Sequence, residues 1–221
     1  MQTEPLKTWV KNMGTGKGTD FLQKKELRAE ILSRRDALPE ESRKRYSERI
    51  RETLTGSRIF ELASQVLAFV SFGSEVDTLP VMEDAWERGK EVYCPRVEGD
   101  TLCFYRVFSM RDLEPGYRGI LEPAAGLKPY VRDGMAPVLL LMPGTVFDRA
   151  RNRIGYGKGF YDRFLDGCTR CKEADRFITV GLAYSVQIAE EVPYETHDYK
   201  PDYVITETEV LDNGKGEREW I

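Results

Sequence analysis

The chain is predicted to fold as an α/β protein: a single three-layer domain with a mixed, mostly parallel sheet and helices on both faces. Three observations lead there. Short continuous apolar runs, at residues 66–72 and 136–142, read as strands covered on both sides. Segments with helical periodicity alternate with such runs, as βαβ units require. The 221 residues are undivided by any Ser/Gly-rich or Pro-rich linker and suffice for one sizeable core.

In chain order, residues 1–19 are polar, contain Gly14, Gly16 and Gly18, and are expected to form a flexible tail before a domain spanning 20–221. Asp20 and Gln23 have capping-box spacing, so a helix is expected from Asp20 to about Ala37, with Leu27 and Ile31 on one face. Pro39 suits the first turn of a second helix, in which Tyr46, Ile50 and Leu54 repeat every four residues. Residues 66–72 form the first strand. Residues 78–88 read as a helix capped by Thr78, carrying Pro80 early and stopped by Gly89. Residues 91–97 and 102–108 read as strands, 115–134 as loop, and 136–142 as the most apolar strand. Residues 159–165 should be helical, and 177–182 and 203–206 complete the strands.

The bulk numbers narrow the function. A net charge of −4 gives no whole-protein field for nucleic acid, so anions must be bound by a few placed Lys and Arg residues. No apolar stretch reaches the roughly 18 residues that span a bilayer, so no membrane partner is expected. The first residues lack the apolar core of a secretory signal. Four cysteines, Cys94, Cys103, Cys168 and Cys171, in a Lys- and Glu-rich chain fit reduced thiols and a cytoplasmic location. The oligomeric state is not legible, and a monomer is expected.

The densest chemistry lies in Arg153-Ile154-Gly155-Tyr156-Gly157-Lys158-Gly159-Phe160-Tyr161-Asp162. Alternating glycines allow positive φ, so successive N–H groups can line one concavity and bind phosphate. A helix starting near Gly159 would add its positive end. Arg153 and Lys158 supply charge for phosphate oxygens. Tyr156, Phe160 and Tyr161 offer flat surfaces for a ring, and Asp162 a hard oxygen for Mg²⁺. A tight turn packed by glycines is the plainer alternative. The run follows strand 136–142, where ligands bind beyond strand C-termini in parallel sheets. It matches neither the Walker loop nor the dinucleotide-binding fingerprint.

Other candidates stay open on their residues alone. Lys24 and Arg28, four apart, could clamp a polyphosphate or sit on an exposed helix face. Glu75 could accept hydrogen bonds from ring N–H groups or be a solvated loop acid. Asp198 could share Mg²⁺ with Asp162 or be solvated. His197, the only histidine, cannot alone make a zinc site. Cys168 and Cys171 have CxxC spacing but read as ordinary thiols.

Four segments together resemble the 5-formyltetrahydrofolate cyclo-ligase (5,10-methenyltetrahydrofolate synthetase) family. They are Lys24-Lys25-Glu26-Leu27-Arg28, Phe72-Gly73-Ser74-Glu75, the run from Arg153 to Arg163, and the stretch from Val192 through His197-Asp198 to Glu207. They span about residues 20–211. The resemblance implies one α/β domain and ATP-dependent ring closure of 5-formyltetrahydrofolate through a phosphorylated formyl group. It implies ATP binding by Lys24, Lys25, Glu26, Leu27, Arg28 and residues 153–161, with Arg153 and Lys158 at the transferring phosphoryl group. It implies substrate contacts from Phe72, Glu75, Tyr156, Gly157, Lys158, Gly159 and Phe160, and Mg²⁺ at Asp162 and Asp198. Tyr156 departs from the family, in which a basic or other polar residue is frequent, and this favours ring stacking there. The alternatives are another small-molecule phosphotransferase on the same scaffold and a non-catalytic binding module.

Overall fold

In a computed structural model, residues 17–132, 136–170, 177–195 and 198–212 are described. Helix α1 (Lys17–Asp36) starts one turn earlier than expected, so Asp20 lies within it and not at its cap. A lone glycine at position 18 costs only about 1 kcal/mol in a helix, too little to stop it. The remainder of the expected tail, residues 1–16, falls outside the described residues. Helix α2 (Glu40–Thr55) follows Pro39 at its N-cap position and buries Ile50 and Leu54 completely. A short helix α3 (Arg58–Leu62), capped by Ser57, precedes strand β1 (Gln65–Leu67).

Helix α4 (Leu79–Glu87) carries Pro80 in its first turn and is followed by Gly89 at φ +71°. Thr78 occupies the N-cap position without capping: its hydroxyl donates to Phe69 O at 2.7 Å and accepts from Ser71 N at 3.1 Å. These bonds pinch shut the loop leaving β1. Strands β2 (Glu91–Glu98) and β3 (Thr101–Val107) form an antiparallel hairpin. The segment read as loop contains a small antiparallel ribbon, β4 (Leu113–Pro115) with β5 (Leu121–Pro123). Strand β6 (Val138–Met142) is buried at every position. A hairpin of β7 (Val146–Asp148) and β8 (Arg153–Ile154) then separates it from the glycine-rich run. Helix α5 (Phe160–Arg170) and strands β9 (Phe177–Leu182), β10 (Ile188–Ala189), β11 (Tyr203–Ile205) and β12 (Val210–Leu211) complete the described chain.

The main sheet has the order β12-β11-β9-β6-β1-β2-β3, parallel from β11 to β2 and antiparallel at each edge. Side chains alternate across a strand, which assigns the helices to faces. Cys94 meets Met82 of α4, 3.4 Å between sulfurs. Phe104, paired with the neighbouring Pro95, meets Phe164 and Tyr161 of α5, with ring centroids 4.9 and 6.2 Å away. The two helices therefore cover opposite faces. From β1 the chain moves toward β2, and from β6 toward β9, so the winding reverses between the paired strands β1 and β6. That reversal is where open α/β sheets leave a crevice beyond the strand C-termini. The loop carrying Glu75 follows β1, and the loop carrying the glycine-rich run follows β6.

Candidate active site

Three elements meet at the crevice. Helix α1 lies against the β7–β8 hairpin because Leu27 and Ile31 pack in a small cluster with Val146, Ile154 and Val192. This anchoring turns Lys24, Arg28 and Arg35 toward the site, on the same stripe of the helix. Arg28 Nε donates to Gly155 O at 2.9 Å, tying the helix to the run. Burial lowers the Arg28 pKa.

The hairpin that launches the run is held by Asp148. Its carboxylate accepts from Asn152 N (2.8 Å), Asn152 Nδ2 (2.7 Å) and Val192 N (3.0 Å). Gly144 is required beneath it, since a Cβ there would come within 2.3 Å of the Phe147 ring. In the run itself Gly157 and Gly159 take φ +87° and +63°, whereas Gly155 does not need positive φ. A side chain at Gly157 would also meet the Arg28 guanidinium, so helix and loop are in direct contact there.

The charged groups form pairs. Arg153 is buried. It donates through Nη1 to Pro143 O (3.0 Å) and through Nη2 to Asp162 Oδ1 (2.8 Å), and its Nε is buried without a partner. Lys24 Nζ contacts Asp198 at 2.7 Å and Glu195 at 3.3 Å. Burial works against the Lys24 charge, but bonds and charges from Asp198 and Glu195 outweigh it and raise the pKa. Tyr199 N donates to Asp162 Oδ1 at 3.2 Å, so Asp162 and the Asp198-Tyr199 segment are brought together. Lys158 is exposed. With Phe160, Arg163, Tyr117, Gly99 and Asp100 it borders a cavity of about 570 Å³.

Across the crevice, Tyr156 donates its hydroxyl to Glu75 Oε1 at 2.5 Å, and Phe72 N donates to Glu75 Oε2 at 2.9 Å. Burial pushes the Glu75 carboxyl above its usual range. The Tyr156 bond, the Phe72 N–H and the Arg35 charge oppose that rise. Burial, followed by the Glu75 charge, raises the Tyr156 pKa. The ring of Phe72 stands exposed beside them.

The profile of the 5-formyltetrahydrofolate cyclo-ligase family matches residues 21–207. The chain belongs to the 5-formyltetrahydrofolate cyclo-ligase family. Among named relatives, the mouse 5-formyltetrahydrofolate cyclo-ligase is 29% identical, the match covering 83% of this chain and 93% of that protein. The Escherichia coli K12 enzyme of the same name is 30% identical over 81% of this chain and 98% of its own. The solved NMR structure of Aquifex aeolicus 5,10-methenyltetrahydrofolate synthetase superposes with a TM-score of 0.72 at 34% identity, covering 86% of this chain and 92% of that one. A synthetase structure from Mycoplasma pneumoniae shares the fold, at a TM-score of 0.59 and 21% identity over 83% of this chain and 98% of its own.

On this cyclo-ligase scaffold the expected site residues separate. Lys24 and Arg28 face the crevice, while Lys25 and Glu26 are exposed on the other side of α1 and Leu27 is a packing residue. Ile154 is likewise core. Tyr161 is not a wall for a ring: it is buried against Phe104, its hydroxyl has no partner, and burial raises its pKa. Lys158 and Phe160 border one cavity, and Glu75 lines another with Ser71, Gly73 and Tyr184. The Tyr156–Glu75 bond joins the two loops, with Phe72, Gly157 and Gly159 exposed. His197 and Cys171 lie outside the described residues, and Cys168 is half-buried in α5. Sequence reasoning missed Arg35 and Ser74. Arg35 lies on the stripe of Lys24, Arg28 and Ile31, but nothing in the sequence marks it as buried.

Proposed function

We infer that the chain closes the ring of 5-formyltetrahydrofolate to 5,10-methenyltetrahydrofolate, consuming ATP and releasing ADP and phosphate. The observation that carries this reading is the Tyr156–Glu75 hydrogen bond, which sets the acid suited to a folate ring against the loop suited to phosphates. A γ-phosphoryl group must reach the formyl oxygen on N5, so the two subsites have to touch.

An N5-formyl amide is a poor electrophile with a poor leaving group. Phosphorylating its oxygen makes an imidate phosphate. N10 then attacks the activated carbon and gives up its proton, forming the new C–N bond, as phosphate leaves with the former formyl oxygen. N10 belongs to the same molecule, so proximity favours that step. The protein's task is positioning and charge neutralisation. Lys158, the exposed cation of the run, serves the transferring phosphoryl group. Lys24 and Arg28 hold the other phosphates, with Phe160 beside them. Glu75 orients the folate ring, and Phe72 and Tyr156 flank it. Arg153 joins the phosphoryl group only when its pair with Asp162 opens.

Mg²⁺ keeps several waters and takes one or two carboxylates plus substrate phosphates. Asp162 and Asp198 fit as those carboxylates. Both are now neutralised by cations, and an arriving nucleotide brings the anion for Lys24 and Arg153. Bound Mg²⁺ would supply charge neutralisation on the phosphates.

We assign residues 20–221 to one catalytic domain acting as a monomer in the cytoplasm. No helix of the described residues is long and apolar enough to cross a membrane. Incubation with Mg·ATP and 5-formyltetrahydrofolate tests the function. The expected outcome is the near-UV-absorbing methenyl product with ADP and phosphate in equal amounts. ADP without that absorbance would instead indicate a different phosphotransferase.

A further inference from the structure

We propose that Arg35 is a positioning residue for Glu75, acting through the hydroxyl of Tyr156; this rests on Glu75 being the folate contact. Arg35 is only 4% exposed. Among the described residues no carboxylate lies within ion-pair distance of it. A buried guanidinium is costly unless its charge is compensated. Here two hydroxyls do the relaying. Arg35 Nε donates to Ser74 Oγ at 2.9 Å, and Ser74 Oγ in turn donates to Asp36. Arg35 Nη2 donates to Tyr156 OH at 3.1 Å, and Tyr156 donates to Glu75 Oε1 at 2.5 Å.

The direction of the second relay follows from chemistry. A guanidinium has five donors and no acceptor. Tyr156 therefore accepts from Arg35, and its single proton is free to point only at Glu75. A hydroxyl locked this way requires Glu75 Oε1 to be an acceptor. The N–H of Phe72 makes the same demand of Oε2. The two donors orient both oxygens of Glu75 and favour its ionised form, against the burial that raises its pKa. The ionised group is acceptor-only, so its remaining lone pairs are all open to ring N–H donors. Arg35 reaches the site from α1, so the guanidinium arrives from beneath the run. That gives the Tyr156 hydroxyl the relaying role between the Arg35 charge and Glu75.

The test compares purified wild type, Arg35→Met, Arg35→Lys, Tyr156→Phe and the Arg35→Met/Tyr156→Phe double variant in the methenyl-forming assay, with separate KM values for 5-formyltetrahydrofolate and Mg·ATP. Arg35→Met should raise the folate KM about tenfold, the loss expected of one charge-assisted contact. The ATP KM should stay within about twofold. The double variant should be no worse than the worse single, because both act on one relay. Arg35→Lys keeps the charge but reaches one hydroxyl at a time, and its folate KM should fall between the two. An unchanged folate KM, equal rises in both KM values, or multiplying single effects would each overturn the proposal. If Arg35→Met does not fold, Arg35→Lys decides alone, and a wild-type folate KM there sinks it. A wild type that forms no methenyl product overturns the cyclo-ligase reading itself.

Discussion

Lys158 and Arg153 belong to the same run but differ in what their removal would do. Lys158 is exposed, so Lys158→Ala should cut kcat about a hundredfold or more with little change in melting temperature. Arg153 is buried and tied to Pro143 and Asp162, so its loss would leave those groups unpaired and destabilise the fold. Glu75 behaves in the opposite sense. Its folded pKa is raised, chiefly by burial. Stability linked to such a group is full below the unfolded pKa and declines as pH rises through the folded value. The contribution of Glu75 to stability should therefore be greatest in acid and shrink as pH rises through its raised folded pKa. Glu75→Gln, which sets its amide N–H against one of the two donors, should remove that pH dependence and weaken folate turnover. Unfolding scans at several pH values check this. At this scale the glycine-rich run stands out by its own residues, whereas Lys24, Arg28 and Glu75 stay open on theirs and are raised only by the family resemblance. Arg35 could not be picked out, because in Ser33-Arg34-Arg35-Asp36 it reads like any surface arginine until tertiary packing buries it. Tyr161 failed for the same reason in reverse, since an aromatic beside a glycine turn gives no sign of which way it faces.

The elements carry these side chains with different security. Helix α1 is moored by few apolar contacts, chiefly Leu27 and Ile31 on the hairpin cluster. Ile31→Ala should cost about 2–4 kcal/mol by cavity formation. Because Ile31 lies between Arg28 and Arg35, the same change should raise the ATP KM, which a substitution deep in β6 would not do selectively. Gly157 holds φ +87°, so Gly157→Ala should cost roughly 1–3 kcal/mol of backbone strain and displace the run from α1. Denaturant midpoints combined with ATP titration separate the two effects. Helices α2 and α4 and strands β2, β3, β6 and β9 were legible from their periodicity or continuous apolar character. Strands β7, β8, β10 and β12 have two or three residues each, too few to display any period, and their pairing is decided by distant partners such as Asp148 with Val192.

For the whole molecule, function follows from where the winding of the sheet reverses. Neighbouring strands β1 and β6 deliver the Glu75 loop and the glycine-rich run to one crevice, and α1 closes it from the N-terminal side. The alternation of strands and helices made this architecture readable, but the intimacy of the two loops depends on tertiary contacts such as Tyr156 with Glu75. Mg·ATP and 5-formyltetrahydrofolate should each stabilise the fold, by about 2.7 kcal/mol at a hundredfold excess over Kd. If this crevice passes a phosphoryl group from ATP to the formyl oxygen, that oxygen must leave on phosphate. Turnover of substrate carrying a heavy oxygen isotope in its formyl group, followed by mass analysis of the released phosphate, should show one heavy oxygen in phosphate per methenyl product; unlabelled phosphate with the label in water would rule out phosphoryl transfer to that oxygen.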